Sequence, residues 1–203
     1  MRRETYRRLL TNVGMALRDP EEFAARWHRD EGGYSAAIWM ALGVTAAAGT
    51  FAYGMTMGMG QGVDAVFTKA QLLTLGAGLA WAIPLPALYI LNSLGGSRLR
   101  LSTTLLAALV TTSWGGLALI ASVPINWFFT VAVPDLPAIS PVVAKRLLLG
   151  INALIVVGVS VAMCDVFGRV MHRLEPGRQP IWFLALVGMI GLQLCYLFGF
   201  FAF

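Results

Sequence analysis

Residues 147–167 read LLLGINALIVVGVSVAMCDVF, with one charged side chain, Asp165, close to the end. A helix needs about 20 apolar residues to cross the roughly 30 Å hydrocarbon core of a bilayer, and this run meets that requirement. Working outward, four more stretches pass the same test: about Tyr34 to Met57, about Leu72 to Leu94, Ser102 to about Val123, and Trp182 to Phe203. The expectation is all-α: a polytopic membrane helix bundle of about five transmembrane helices over residues 34–203. It is preceded by a cytoplasmic amphipathic N-terminal segment, residues 1–33, whose helices lie at the interface.

Composition agrees. The chain has 203 residues, 58% hydrophobic and 12% charged, with a mean hydropathy of +0.72. Soluble domains run nearer 45–50% apolar and about 25% charged, so this chain has too little charge to cover a soluble surface. The length allows one domain, and no repeat of 20–50 residues is visible. The net charge of +5 sits between apolar spans, which speaks for topology and anionic lipid headgroups rather than nucleic acid. Cys164 and Cys195 both fall inside apolar spans and lack the clustering of a disulfide framework or metal site. The start, Met-Arg-Arg, stays charged through Glu31, unlike a cleavable signal peptide.

Basic residues set the orientation. Of the 15 Lys and Arg residues, only Lys69, Lys145 and Arg146 fall in the first and third loops. The others lie in the N-terminal segment and the second and fourth loops. This bias predicts a cytoplasmic N-terminus and, with five spans, a non-cytoplasmic C-terminus. The best-fitting location is a bacterial inner membrane. Trp39, Trp127 and Trp182 fall near the expected interfaces.

The N-terminal segment reads as two short helices. Tyr6, Leu10, Val13 and Leu17 fall at helical spacing, with Arg7 and Arg8 elsewhere on the wheel. Asp19-Pro20-Glu21-Glu22 is a helix start: Asp19 caps, Pro20 suits the first turn, and Glu22 stands at the capping-box position. Phe23 and Trp27 share a face of the second helix, and Gly32-Gly33 lets the chain turn into the first span. This apolar face can bury itself at the lipid headgroups or against the bundle. These residues are the candidate lipid- or partner-binding set. Beyond the membrane on the other side, residues 61–70 read as a short interfacial helix. The stretch from Pro124 to Pro141 holds too many prolines for a regular helix and is expected to fold over the outer mouth of the bundle or rest in the interface. Ser140-Pro141 starts the fourth helix.

Enzymatic machinery is hard to find. His28 and His172 lie in cytoplasmic flanks, and no paired carboxylates, phosphate loop or nucleophile elbow is present. No cofactor is expected. Gly54, Gly58 and Gly62 form a small-residue row suited to close helix contact. Asp165 is an intramembrane acid and so a functional candidate by default. Its spacing from Arg169, however, allows an i,i+4 ion pair at the helix end. Met55, Met57 and Met59 offer soft ligands of the kind Cu(I) prefers, or simple apolar filler. Pro84 and Pro86 interrupt the second span and should kink it, a feature that lines substrate sites in transporters. Thr111, Thr112, Ser113, Asn152 and Gln193 are candidates for interhelical hydrogen bonding.

The order of parts resembles the Yip1-like family of five-helix membrane proteins, in its bacterial form. The resemblance rests on Asp19-Pro20-Glu21-Glu22-Phe23 before the first span, on Leu94-Gly95-Gly96-Ser97-Arg98 after the second, and on the overall layout. It implies a non-catalytic protein that works through membrane-protein and lipid partners, or as a homo-oligomer. The leading expectation is therefore a membrane scaffold or accessory subunit. The alternative is a small transporter or permease subunit with its path near Pro84 and Pro86.

Overall fold

The structure, a computed structural model, describes residues 2–29, 36–94, 96–97, 99–134, 140–176 and 181–198, with the side chains of 2–6, 8–9, 92 and 181 excepted. Gly32, Gly33, Tyr34, Arg98, Pro137, Arg178 and Phe203, and the side chains of Tyr6 and Arg8, lie outside the described residues. Within them the chain is all-helical: α1 (Arg2–Arg18), α2 (Pro20–His28), α3 (Ala36–Gly58), α4 (Val63–Ala82), α5 (Leu85–Leu94), α6 (Leu101–Ala132), α7 (Pro141–Leu174) and α8 (Ile181–Leu197).

Among the described residues, four helical runs are long and apolar enough to cross a membrane: Ala36–Gly58, Val63–Leu91, Leu101–Ala132 and Pro141–Leu174. The chain is thus built as an integral membrane protein. The last apolar helix, Trp182–Leu197, is shorter, and its described part rises about 24 Å at 1.5 Å per residue. The longest run, of 34 residues, rises about 51 Å and outreaches the roughly 30 Å hydrocarbon core.

Two stretches differ from their sequence reading. Residues 63–70 form the first turns of α4 itself, and the short interfacial helix is absorbed into the span. Gly62 makes that possible. At φ +103° it adopts a backbone conformation that L side chains rarely take, and it turns the chain sharply into α4. The third span also runs on through Pro124 to Ala132. A single proline removes one intrahelical donor, which a long helix packed along its flanks tolerates. α6 ends at Ala132, two residues before Pro134, and α7 begins at Pro141. The Ser140 side chain accepts a hydrogen bond from the Val143 N–H at 3.4 Å, and Pro141 occupies the first turn of α7.

The centre of the bundle is α6, which packs on α3 and α7, while α3 also packs on α4 and α4 on α8. Small residues set these distances. A Cβ on Gly49 would overlap the backbone of Gly116, and one on Gly116 would stand 2.8 Å from the Thr45 carbonyl oxygen. On the α4 side, a Cβ on Gly54 would fall 2.6 Å from the Ala70 Cα, and one on Gly58 2.5 Å from the Val66 Cα. Of the glycine row, Gly54 and Gly58 are packing residues and Gly62 is a turn residue. Without a hydrophobic drive between helices in lipid, such close backbone approach is a principal source of association.

Candidate functional site: the docked N-terminal helices and the proline break

Asp19 caps α2 as its sequence requires, its carboxylate accepting the Glu22 N–H at 3.1 Å with Pro20 in the first turn. That start sets which face of the nine-residue helix meets the bundle. Phe23 and Ala24 are fully buried, and Ala25 nearly so. Phe23 joins Ala16 of α1, Ile38 and Leu42 of α3, and Leu106 and Val110 of α6 in one cluster. Ala24 joins a second cluster with Trp81, Phe167, Val170 and Met171. Trp27 meets Trp39 edge-on, with ring centroids 5.7 Å apart. The N-terminal pair therefore sits on the end of the bundle formed by the starts of α3 and α6 and the end of α7. Of the two docks open from sequence, the bundle takes the Phe23 face.

The predicted α1 stripe divides. Val13 packs on the Phe23 cluster and Leu17 is half-buried, but Leu10 is 71% exposed. Ala16 lies at the centre of the contact, and Leu10, six residues earlier, is about a third of a turn away from it. Leu10 shares its exposed face with Arg7, Thr11 and Arg18.

Ion pairs close the same junction. The Arg169 guanidinium donates to Asp165 at 3.0 Å, the i,i+4 pair read from sequence, and also to Glu21 of α2 at 2.8 Å. Arg173 stands 3.7 Å from Glu22, which also accepts from Arg26 at 3.2 Å and Arg29 at 3.3 Å. The Arg26 hydrogen bond, with Arg29 and Arg173 close by, holds the Glu22 carboxyl below the usual carboxylate range. Glu21 and Glu22, read from sequence only as the start of α2, are also partners of α7. Their surplus of acid in a strongly basic segment was the available signal. Asp165, 67% exposed on its side chain, is a member of a surface network and not a buried relay.

Inside the bundle, the Tyr53 hydroxyl donates to Asn152 Oδ1 at 3.1 Å, linking α3 to α7. Asn126 Nδ2 donates to Thr56 Oγ1 at 2.7 Å, linking α6 to α3. Ser113 Oγ lies 2.7 Å from the Leu42 carbonyl oxygen and donates across from α6 to α3. Thr111 and Thr112 instead donate to carbonyls of their own helix, and Gln193 is exposed. Met57 is buried beside Tyr53, Leu73 and Leu119 whereas Met59 is 45% exposed, an arrangement of filler and surface residues. Among the described residues, no group of three or more His, Cys, Asp or Glu side chains could hold a metal ion.

At the proline break, α4 ends at Ala82 and α5 begins at Leu85. The chain stays close to helical there: Ile83 N–H reaches the Leu79 carbonyl at 3.0 Å and Leu88 N–H the Pro84 carbonyl at 2.9 Å. Pro84 and Pro86 each remove one donor and bend the axis. Beside the bend is an open groove of about 360 Å³ whose lining includes Leu85, Pro86, Tyr89 and Ile90 from α5 and Leu101 and Leu105 from α6. Apart from the Tyr89 phenol, those side chains are hydrocarbon. No family model, curated protein or solved structure matches the chain.

Proposed function

We propose that the protein is a non-enzymatic integral membrane scaffold or accessory subunit, of Yip1-like organisation, acting through membrane-protein and lipid partners. In this reading the basic end bearing α1 and α2 faces the cytoplasm of a bacterial inner membrane. The observation that carries it is the character of the proline break. A substrate path for a polar solute needs convergent polar groups at the broken helix, and the groove there is apolar. That supports contact with lipid or another membrane protein over a permease path. The exposed face of α1, with Leu10 among Arg7, Thr11 and Arg18, adds a basic, amphipathic surface of the kind that meets anionic headgroups or an acidic partner.

The test is copurification of the tagged full-length chain in mild detergent. The expected result is a stoichiometric membrane-protein partner, or a defined homo-oligomer, retained by the wild type and lost on Leu10→Glu while the monomer stays folded. A folded, partner-free monomer that carries a solute across vesicle membranes would overturn the reading.

A further inference from the structure

We propose, resting on the membrane-protein half of the function just stated, that the outward face of α8 is the contact between two copies of this chain, paired side by side in the membrane about Gln193.

One side of α8 is already taken. The helix packs on α4, and Phe183 meets Trp81 of α4 and Phe167 of α7 with ring centroids 6.0 and 5.2 Å apart. Val187 is buried on the same side, and a Cβ on Gly191 would stand 3.7 Å from the Ala80 side chain. At about 100° per residue, Trp182, Ala185, Met189, Leu192, Gln193 and Tyr196 fall within an arc of about 120° on the opposite side. All six are exposed.

Lipid tails cover the apolar members of that face but leave Gln193 unsatisfied. From Trp182, expected at the interface, to Gln193 the helix rises about 16 Å at 1.5 Å per residue, close to half of the roughly 30 Å hydrocarbon core. At that depth the amide reaches neither water nor headgroups. Among the described residues it has no hydrogen-bond partner. An unpaired amide in hydrocarbon is costly, and glutamines so placed hydrogen-bond across to another helix.

The symmetry of the amide selects a second copy as that helix. Two copies in one membrane share an orientation, so α8 meets α8 in parallel and each residue meets its counterpart at the same depth. A primary amide both donates and accepts, so the Gln193 of one copy satisfies that of the other across a two-fold axis. A different protein would have to bring its own polar group to the midplane. Ala185, the small residue on the face, lets the two backbones approach.

The experiment is disulfide trapping of the full-length protein in the membranes of the expressing cells, with the half-buried Cys164 and Cys195 replaced by serine. Met189→Cys, at a position 61% exposed on the α8 face, should yield a covalent dimer on mild oxidation, whereas Leu154→Cys, at a position 74% exposed on α7, should not. In phosphatidylcholine vesicles, energy transfer between labelled copies should report a dimer whose dissociation constant rises about tenfold in Gln193→Leu. Gln193→Asn, which keeps the amide, should retain most of the affinity. Equal trapping at the two cysteines, no trapping at Met189→Cys, or an unchanged dimer in Gln193→Leu overturns the proposal. So does trapping of Met189→Cys onto a different protein. A monomer that still holds its Leu10-dependent partner overturns the dimer and leaves the scaffold reading standing, whereas a dimer that holds no partner and carries a solute across the vesicle membrane overturns that reading and supports the dimer.

Discussion

Gly49→Val is expected to prevent stable assembly of the helix bundle. Gly49 and Gly116 face each other across α3 and α6, and a Cβ on Gly49 would overlap the backbone of Gly116. Overpacking against side chains typically costs about 1–3 kcal/mol because those side chains yield. Here the obstacle is main chain, and only separation of the two helices relieves it. Separation would also break the neighbouring hydrogen bond from Ser113 to the Leu42 carbonyl. The loss should exceed about 3 kcal/mol, read as a fall in thermal unfolding temperature in detergent and in membrane yield. Gly43→Ala in the same helix, where an added Cβ meets nothing within 4 Å, should be neutral or slightly stabilising. Comparable behaviour of the two variants would show that the crossing is not closely packed.

The second large effect is expected at Phe23. Its side chain is fully buried among residues of α1, α3 and α6, and Phe→Ala at such a site costs about 3–5 kcal/mol. The rest of the junction is the small buried side chains Ala16 and Ala24, the Trp27–Trp39 edge contact and solvent-exposed ion pairs worth about 0–1 kcal/mol each, and none of these fills the space Phe23 occupies. Phe23→Ala should release α1 and α2 while the membrane helices stay assembled. Limited proteolysis should then cut the N-terminal segment rapidly and leave a folded membrane core. Asp165→Asn is the matched control: the Arg169–Glu21 pair survives it, so cleavage should stay slow. Acid should act in the same direction as Phe23→Ala but more weakly. The Arg26 hydrogen bond and the nearby arginines hold the Glu22 carboxyl below the usual carboxylate range, so its contribution is present above that range and lost as pH falls through the lowered value. Slow cleavage of Phe23→Ala would mean that the segment is held by something other than this contact.

The apolar runs made the spans legible, because length and lack of charge are properties of the chain alone. The caps at Asp19 and Ser140 were legible for the same reason: capping is local chemistry. What could not be read was anything decided by a neighbour. The helical spacing of Val63, Val66 and Phe67 reads as a separate interfacial helix over residues 61–70, yet packing of Gly54 and Gly58 onto Ala65, Val66 and Ala70 makes residues 63–70 the start of α4. Pro124 suggested an end that a helix packed on both flanks does not need. The roles of Tyr53, Thr56 and Asn126 depend on partners up to 99 positions away, which no local spacing encodes. At the N-terminus, helical periodicity found the amphipathic face of α1 but not its boundary, because the small Ala16 rather than a large residue marks the contact centre.

The account depends on an odd number of spans with the basic end in the cytoplasm. It makes the short α8 a full crossing, and it puts the ion-paired junction on one known side. The most direct test is a pair of reporter fusions to the full chain after Phe203, one active only in the cytoplasm and one only outside it. The account predicts activity from the external reporter alone. Activity from the cytoplasmic reporter alone would mean an even number of crossings, contradicting the five-span bundle.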